Sequence, residues 1–158
     1  MDREIFFLAC ALHDLGLTPK YAGNLPFEIQ GAQAARRILE SAGLTPDKSQ
    51  VVWDGIAMHL HAMSDFKPPE ISLVGAGAGA DVVGGGIEKL AREDVQAVLT
   101  AFPRLEFKQR FVQNCSEIAN KYPGAAKRTF MRDIAERTNP AYHVSNICDA
   151  IKASPFVE

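Results

Sequence analysis

Residues 5–16 read IFFLACALHDLG, an apolar run that ends in a histidine, an aspartate and a glycine. Asp2 is suited to cap a helix through this run, and Gly16 is suited to end it. Because the helix has no polar face, we expect it to lie at the centre of the protein. Its last turn then carries His13 and Asp14 into partly buried surroundings, where a charged carboxylate needs a partner.

Helical patterns continue along the rest of the chain, and no linker or repeat interrupts them. Further helices are predicted from Pro26 to Gly43, from Thr45 onward, over 94–102, over 105–122, around Phe130 and Ile134, and over 144–153. A glycine-rich segment runs from Glu70 to about Leu90. The sequence therefore predicts one all-α domain over residues 1–158.

Bulk composition excludes several classes of protein. The 158 residues suit one domain, and 47% apolar residues with a formal net charge of -2 indicate a soluble globular protein. Without a basic excess, sequence-independent nucleic-acid binding is not expected. The apolar run at 5–12 is too short to span a bilayer, and no signal peptide is visible. Cys10, Cys115 and Cys148 show no pairing pattern, and for Cys10 and Cys115 we expect buried free thiols in a cytoplasmic protein.

A competing motif lies at residues 74–80, which read VGAGAGA and satisfy Gly-x-Gly-x-x-Ala. A dinucleotide-binding turn of this kind needs a strand, a helix and a second strand with an acidic end. After Asp81 the chain continues as VVGGGIEKL, where no second strand is visible, and prolines precede the first supposed strand. The pattern therefore disfavours this interpretation.

His13 and Asp14 together offer a ring nitrogen and a carboxylate oxygen. That combination suits zinc, manganese, iron or a similar divalent ion. A helix cap or a surface pair would explain the same dipeptide without a metal. The residues alone leave both interpretations open.

Four strings occur in an order that resembles the cyanamide hydratase-type proteins of the HD superfamily. They are LACALHDLGLT at 8–18, FEIQGA at 27–32, VWDGIAMH at 52–59 and GADVVG at 79–84. The resemblance implies an all-helical fold, one zinc-type metal, and addition of water to a small nitrile such as cyanamide to give urea. It also implies His13, Asp14 and Asp81 as metal ligands and Glu28 in the substrate pocket. A carboxylate favoured by the helix dipole explains Glu28 nearly as well.

One departure concerns a further metal histidine that the family carries upstream of the His-Asp pair. Only twelve residues precede His13, and none is histidine. We therefore expect a domain shortened at its N-terminus, with weaker metal binding than its relatives. A water, another chain or His59 would take the ligand position of the absent histidine. Loss of a helix would expose apolar surface around Ile5, Phe6 or Leu8, which a second copy would cover in a symmetric homodimer.

His59 and His61 are two positions apart and so point to different faces of a helix. His59 shares a face with Val52, Ile56 and Met63 and is predicted to point inward, either as a hydrogen-bonded core residue or as a group in the pocket. His61 is predicted to be exposed. His143 belongs to no motif.

The chemistry expected from these residues is hydration of a small neutral molecule. Asp14 would orient the water or relay its proton, and His59 would serve as acid or hydrogen-bond donor. An HD phosphohydrolase acting on a nucleotide or phosphate ester is the alternative, and it would be expected to recruit Lys or Arg to the pocket. Lys20 is the nearest such residue to His13, which favours the neutral substrate. A non-catalytic helical interaction protein is the third possibility.

Overall fold

The computed structural model describes residues 1–127, 129–143 and 147–153, and over those ranges it contains helices and no β-strand. The prediction of an all-α fold is confirmed. The α-helices are α1 (Arg3–Leu12), α2 (Phe27–Ser41), α3 (Pro46–Met58), α4 (Pro69–Val83), α5 (Arg92–Ala101), α6 (Phe107–Lys121), α7 (Met131–Thr138) and α8 (Ile147–Lys152). Short 3-10 helices cover Leu15–Leu17, Ala62–Phe66, Ile87–Lys89 and Pro123–Ala126. The predicted start of the last helix, at Val144, lies outside the described residues.

Helix α1 has the predicted cap and one buried face. The carboxylate of Asp2 accepts hydrogen bonds from the backbone N–H groups of Glu4 and Ile5. Ile5 and Ala9 pack into a first hydrophobic cluster that α1 shares with α2, α3 and α4. Gly55 of α3 allows the close approach, because a Cβ atom there would lie 3.3 Å from the Cβ of Ala9.

The opposite face of α1 is exposed, but not at the residues that the sequence predicted. Ile5 is only 2% exposed, and Phe6 and Leu8 are partly buried. Phe7 is 68% exposed. The prediction was therefore wrong for Ile5, which is buried in the first hydrophobic cluster, and the apolar surface of this helix centres on Phe7.

A tight corner joins α1 to α2 through two glycines. A Cβ atom on Gly16 would lie 1.9 Å from the carbonyl oxygen of Phe27, so no larger residue fits there without moving the backbone. Gly31 faces this corner, and its Cβ would lie 3.0 Å from the backbone nitrogen of Gly16 and 3.4 Å from the carbonyl oxygen of His13. The start of α2 is therefore packed directly against the His13–Gly16 segment.

A second hydrophobic cluster lies under α6 and α7. Its buried members are Leu17, Phe27, Cys115, Ile118, Ala119, Ala125, Ala126, Met131 and Ala135. Leu17 and Phe27 come from the corner between α1 and α2, so this corner packs against α6 and α7. Cys115 is a fully buried free thiol, as expected, and burial raises its pKa to about 12.

The glycine-rich segment forms α4 rather than a strand. Val74 is buried within this helix. A Cβ atom on Gly75 would lie 2.8 Å from the carbonyl oxygen of His59 and 3.0 Å from the Oγ of Ser64, so Gly75 lets α4 pack against the turn after α3. The dinucleotide-binding interpretation is thereby excluded.

Helix α3 ends earlier than its apolar pattern indicates. Val52 and Ile56 are fully buried, and His59 is 6% exposed, as predicted. Met63 is exposed instead, because the chain leaves the α-helix after Met58. The side chain of His61 accepts a hydrogen bond from the backbone N–H of Met63 and caps a 3-10 helix there.

Helix α5 lies outside both clusters, and none of its residues is buried. Val98 and, just beyond the helix, Phe102 and Leu105 are exposed apolar side chains. In the described part of the chain, no helix combines the length and the apolar character that crossing a membrane requires.

Candidate metal centre

Three side chains form a cluster of possible metal ligands. His13 and Asp14 follow the last residue of α1, and His59 follows the last residue of α3. Each offers one ligand atom, and these atoms lie within 4.8 Å of one another. The two imidazole rings stand nearly perpendicular, with centroids 5.1 Å apart.

Backbone carbonyl groups hold both imidazoles in one orientation. The Nδ1 of His13 lies 2.8 Å from the carbonyl oxygen of Cys10, and the Nδ1 of His59 lies 2.6 Å from that of Ile56. A carbonyl oxygen only accepts hydrogen bonds, so both Nδ1 atoms carry a hydrogen. In a neutral ring the Nε2 atom then presents a lone pair, as in metal-binding histidines whose other nitrogen donates to a carbonyl group.

The spacing of the donor atoms fits a single ion. The Nε2 of His13 lies 3.3 Å from the Oδ2 of Asp14. Atoms that each bind one ion at about 2.1 Å are separated by roughly 3 to 4 Å, depending on the angle between them. Two nitrogens and one carboxylate oxygen suit zinc, manganese or iron. The donor set therefore fits a divalent metal, and a direct contact between His13 and Asp14 without an ion is the metal-free alternative.

The surroundings of His59 favour its neutral form. Burial lowers the pKa of His59, and the charge of His13 acts in the same direction. The hydrogen bond to Ile56 and the charge of Asp14 oppose this shift and raise the pKa. The direction is downward because burial is the largest of these effects. A neutral imidazole is the form that binds a metal ion.

Asp81 does not join the cluster. Its carboxylate forms an ion pair with Arg104, which also donates to the backbone oxygen of Asp81 at 2.9 Å. The Asp81 side chain is 57% exposed. Helix α4 turns Gly79 and Val82 toward the cavity above the cluster and leaves Asp81 on another face. The expected grouping of His13, Asp14 and Asp81 therefore does not form: the structure places His59, not Asp81, beside the His-Asp pair.

An open cavity of about 1130 Å³ leads to the cluster. Its wall is mostly apolar and is formed by residues of α2, α3, α4, α6 and α7 and of the segments that follow α1 and α3. The rings of Phe111 and Phe130 stack in this wall, with centroids 6.0 Å apart and an interplanar angle of 16°. Phe27 meets Phe130 edge-on at 5.9 Å. Three aromatic rings therefore form part of the wall of the cavity that leads to the cluster.

Glu28 lies in the cavity wall, in the first turn of α2. Its Oε2 atom is buried and has no hydrogen-bond partner among the described residues. Burial raises the pKa of this carboxyl group, although a hydrogen bond from its own backbone N–H lowers it. Glu28 is therefore a half-buried acid in the wall of the cavity, with one carboxyl oxygen closed off from solvent.

Sequence reasoning missed the charged residues that α7 brings to the cavity. Arg132 and Asp133 line it, and the Nε of Arg132 donates to Glu136 at 2.7 Å. Both residues are far from His13 in the chain, so no local pattern linked them to it. His61 lies on the rim and is exposed, as predicted, and His143 is exposed and is not among the cavity residues.

Comparison with known proteins gives one partial likeness. No family model matches the chain. The chain is similar to ribonuclease Y of Clostridium tetani (strain Massachusetts / E88), with 31% identity over 127 residues. The match covers 80% of this chain but 20% of that protein, so the chain spans about a fifth of the length of its curated relative.

Proposed function

We propose that this chain is a metal-dependent hydrolase of the HD type that cleaves a phosphate ester in a nucleotide-sized substrate. The observation that carries the proposal is the cluster of His13, Asp14 and His59 beneath an open cavity. Catalytic metal sites commonly have three protein ligands and keep a further position for water or substrate. The cluster supplies three ligands, and the cavity gives a substrate access to them.

The chain's own residues have distinct roles in this chemistry. A bound divalent ion would polarise a phosphoryl oxygen and lower the pKa of a bound water to about 7. The carbonyl groups of Cys10 and Ile56 fix the two histidines as lone-pair donors. The Asp14 carboxylate is partly exposed beside them and can hold the attacking water or accept its proton.

His59 is a ligand in this proposal and not the acid that the sequence analysis considered. The hydrogen on its Nδ1 is committed to the carbonyl oxygen of Ile56. Since burial favours the neutral ring, Nε2 has no proton to give.

The size of the cavity supports a nucleotide-sized substrate. Binding pockets for small molecules typically measure about 300 to 1,000 Å³, and this cavity measures about 1130 Å³. Cyanamide is far smaller than such a space. The stacked Phe111 and Phe130 rings offer a surface on which a base can pack.

Charge supports the same substrate class. Arg132 supplies the cationic group that a phosphate would be expected to require. The similar protein is by its name a ribonuclease, which favours phosphoester chemistry. The net charge of -2 suits a small substrate better than a long nucleic-acid strand, whose binding depends on many cations.

Hydration of a small nitrile is the second candidate. The four strings that resemble the cyanamide hydratase-type proteins, and the mostly apolar wall of the cavity, support it. Both reactions need the same metal-activated water, so substrate size and charge distinguish them.

One assay panel separates these candidates. The purified chain, loaded with Zn²⁺ or Mn²⁺, is incubated with bis(p-nitrophenyl) phosphate, with a dinucleotide and with cyanamide, and nitrophenolate, nucleotide and urea are measured. We expect phosphodiester cleavage that is abolished by a chelator and reduced at least ~100-fold by His13→Ala. His61→Ala, on the exposed rim, is the matched control and should retain activity. Urea without phosphodiester cleavage would establish the second candidate, and no product from any substrate would refute both.

A further inference from the structure

Residues 84–106 connect α4 to α6 and form an arm that contains α5. None of the residues of α5 is buried. The apolar side chains of this helix, and of the residue after it, share one side at spacings of three and four residues: Val95, Val98, Leu99 and Phe102. A helix of ten residues has little stability of its own in water. We therefore expect the apolar side of α5 to gain stability from contact with another surface.

Both ends of the arm lie beside the cavity wall. Val82 and Val83 line the cavity and are the last two residues of α4, directly before the arm begins. At the other end, Arg104 pairs with the carboxylate of Asp81 and donates to the backbone oxygen of that residue. The guanidinium group of Arg104 also lies 4.2 Å from the ring centre of Phe107, the first residue of α6. The arm therefore has a narrow base, which these contacts hold at the edge of the cavity.

The backbone at both ends of the arm is suited to turning. Gly84 and Gly86 have φ angles of 76° and 71°, and a Cβ atom on either would have no atom of the described chain within 4 Å. Leu105 and Glu106 have φ angles of 44° and 62°, which residues other than glycine rarely adopt. Such backbone is concentrated in segments that switch between conformations. Between these points α5 can move as one rigid element.

The cavity offers the apolar surface that α5 lacks. Its wall is mostly apolar, and Val83 in that wall is 81% exposed. Val112, on α6, is a second exposed apolar side chain of the wall. The ten residues of α5 give it a length of about 15 Å, enough to cross the opening of a cavity of about 1130 Å³. The position, the length and the apolar side of α5 therefore match the opening.

We propose that the arm is a lid, and that α5 turns about the base of the arm to cover the cavity when a nucleotide-sized ligand binds; this inference rests on the proposed function for its ligand. Closure buries Val98, Leu99 and Phe102 against the valines of the wall. The ion pair of Arg104 with Asp81 stays formed and keeps the base in place. A closed lid excludes bulk water from the metal cluster and strengthens electrostatic interactions there. In the open state, substrate enters and product leaves.

A tryptophan on the apolar side of the arm reports closure. The chain has one tryptophan, Trp53, so Trp53→Phe combined with Phe102→Trp carries a single fluorophore there. The Zn²⁺-loaded full chain is titrated with thymidine 5′-monophosphate, and calorimetry measures nucleotide binding to the same variant. We expect a blue shift of the emission and a loss of quenching by acrylamide as the nucleotide binds. Phe7→Trp in the same background, exposed on α1 and outside the arm, should show neither change.

Substitutions on the two sides of α5 separate a lid from a helix that only supports the fold. Val98→Ser removes an apolar side chain that closure buries, and it should weaken nucleotide binding by about 10-fold. Gln96→Ser lies two positions earlier, on the other side of the helix, and is the matched control that should bind as wild type. Both side chains are exposed in the open chain, so both variants should keep the denaturation midpoint of the ligand-free wild type.

The outcomes distinguish the lid from its alternatives and from the proposed function. Nucleotide binding without a change in the fluorescence of Phe102→Trp, or with equal affinity in Val98→Ser and wild type, would overturn the lid and leave the hydrolase proposal intact. Burial of the fluorophore that follows protein concentration rather than nucleotide would assign this surface to a second copy and would also overturn the lid. A wild type that binds no nucleotide would overturn the substrate class of the proposed function, and the lid with it.

Discussion

At the scale of single residues, the same local arrangement positions both histidines of the site. His13 and His59 are each the first residue after a helix, and each donates from Nδ1 to the carbonyl group three positions earlier. The last carbonyl groups of a helix lack partners within it, so they are available for such bonds. Each helix end therefore fixes one imidazole with its Nε2 turned outward, and packing of α1 against α3 brings the two together.

The burial of His59 predicts how the metal-free chain responds to acid. Because its pKa is lowered in the folded chain, the unfolded chain binds more protons below the ordinary histidine value of about 6.5. The stability contributed by the neutral ring is present above that value and is lost as the pH falls through the lower pKa of the folded state. Urea unfolding between pH 5 and pH 8 should show this loss, and His59→Gln should show less of it. An identical pH dependence in both proteins would contradict the prediction.

The Glu28 carboxyl group predicts the opposite dependence of folding stability on pH. Burial raises its pKa above the ordinary glutamate value of about 4.3, so its contribution to stability is present at lower pH and is lost as the pH rises through the folded value. Glu28→Gln should therefore unfold at a higher temperature than wild type at pH 8, with a smaller advantage at pH 5. Thermal unfolding followed by circular dichroism measures both, and a variant less stable than wild type at pH 8 would be evidence against a buried, unpaired carboxyl group.

At the scale of helices, glycines decide how closely the elements approach. Gly16 and Gly31 bring α2 onto the segment after α1, and Gly75 brings α4 onto the turn after α3. The glycines that resembled a phosphate-binding turn thus permit packing, or lie open on the surface of α4. Gly77 shows the second case, since a Cβ atom there would have nothing within 4 Å.

This difference predicts opposite effects for two alanine substitutions. Gly16→Ala places a methyl group against the carbonyl oxygen of Phe27 and should destabilise the chain by about 1–3 kcal/mol, as forced packing does. Gly77→Ala, in the exposed part of a helix, should stabilise it by about 0.5–1 kcal/mol, because alanine restricts the unfolded chain and favours helix. Denaturant unfolding measures both changes. A neutral Gly16→Ala would mean that the corner is looser than its geometry indicates.

At the scale of the whole molecule, local patterns predicted the helices well and long-range partners poorly. Caps, prolines and apolar spacing predicted the helices and the inward position of His59. The partner of Asp81, which is Arg104, is 23 residues away in the chain and lies in the connection between α5 and α6. Arg132 reaches the cavity only because α7 folds back over it. Such contacts depend on tertiary packing, which no local pattern encodes.

Self-association stays a prediction at this scale. Phe7 on α1 and Phe102 after α5 are both exposed aromatic side chains, and a second copy that covers apolar surface is the partner we expect. Sedimentation velocity over a range of concentrations should show a dimer in equilibrium with monomer. Phe7→Ser should shift this equilibrium toward monomer. Phe102→Ser, measured in the same way, shows whether the apolar surface after α5 also takes part in the dimer. A wild type that is monomeric throughout would contradict the expectation of a dimer.

Calorimetric metal titration tests the composition of the site most directly. The metal-free chain is titrated with Zn²⁺ or Mn²⁺ as wild type, His59→Ala and Asp81→Asn. We predict one ion per wild-type chain, at least ~10- to 100-fold weaker binding in His59→Ala, and unchanged binding in Asp81→Asn, whose exposed ion pair with Arg104 should contribute no more than about 1 kcal/mol to stability. Full affinity in His59→Ala together with lost affinity in Asp81→Asn would contradict a site formed by His13, Asp14 and His59.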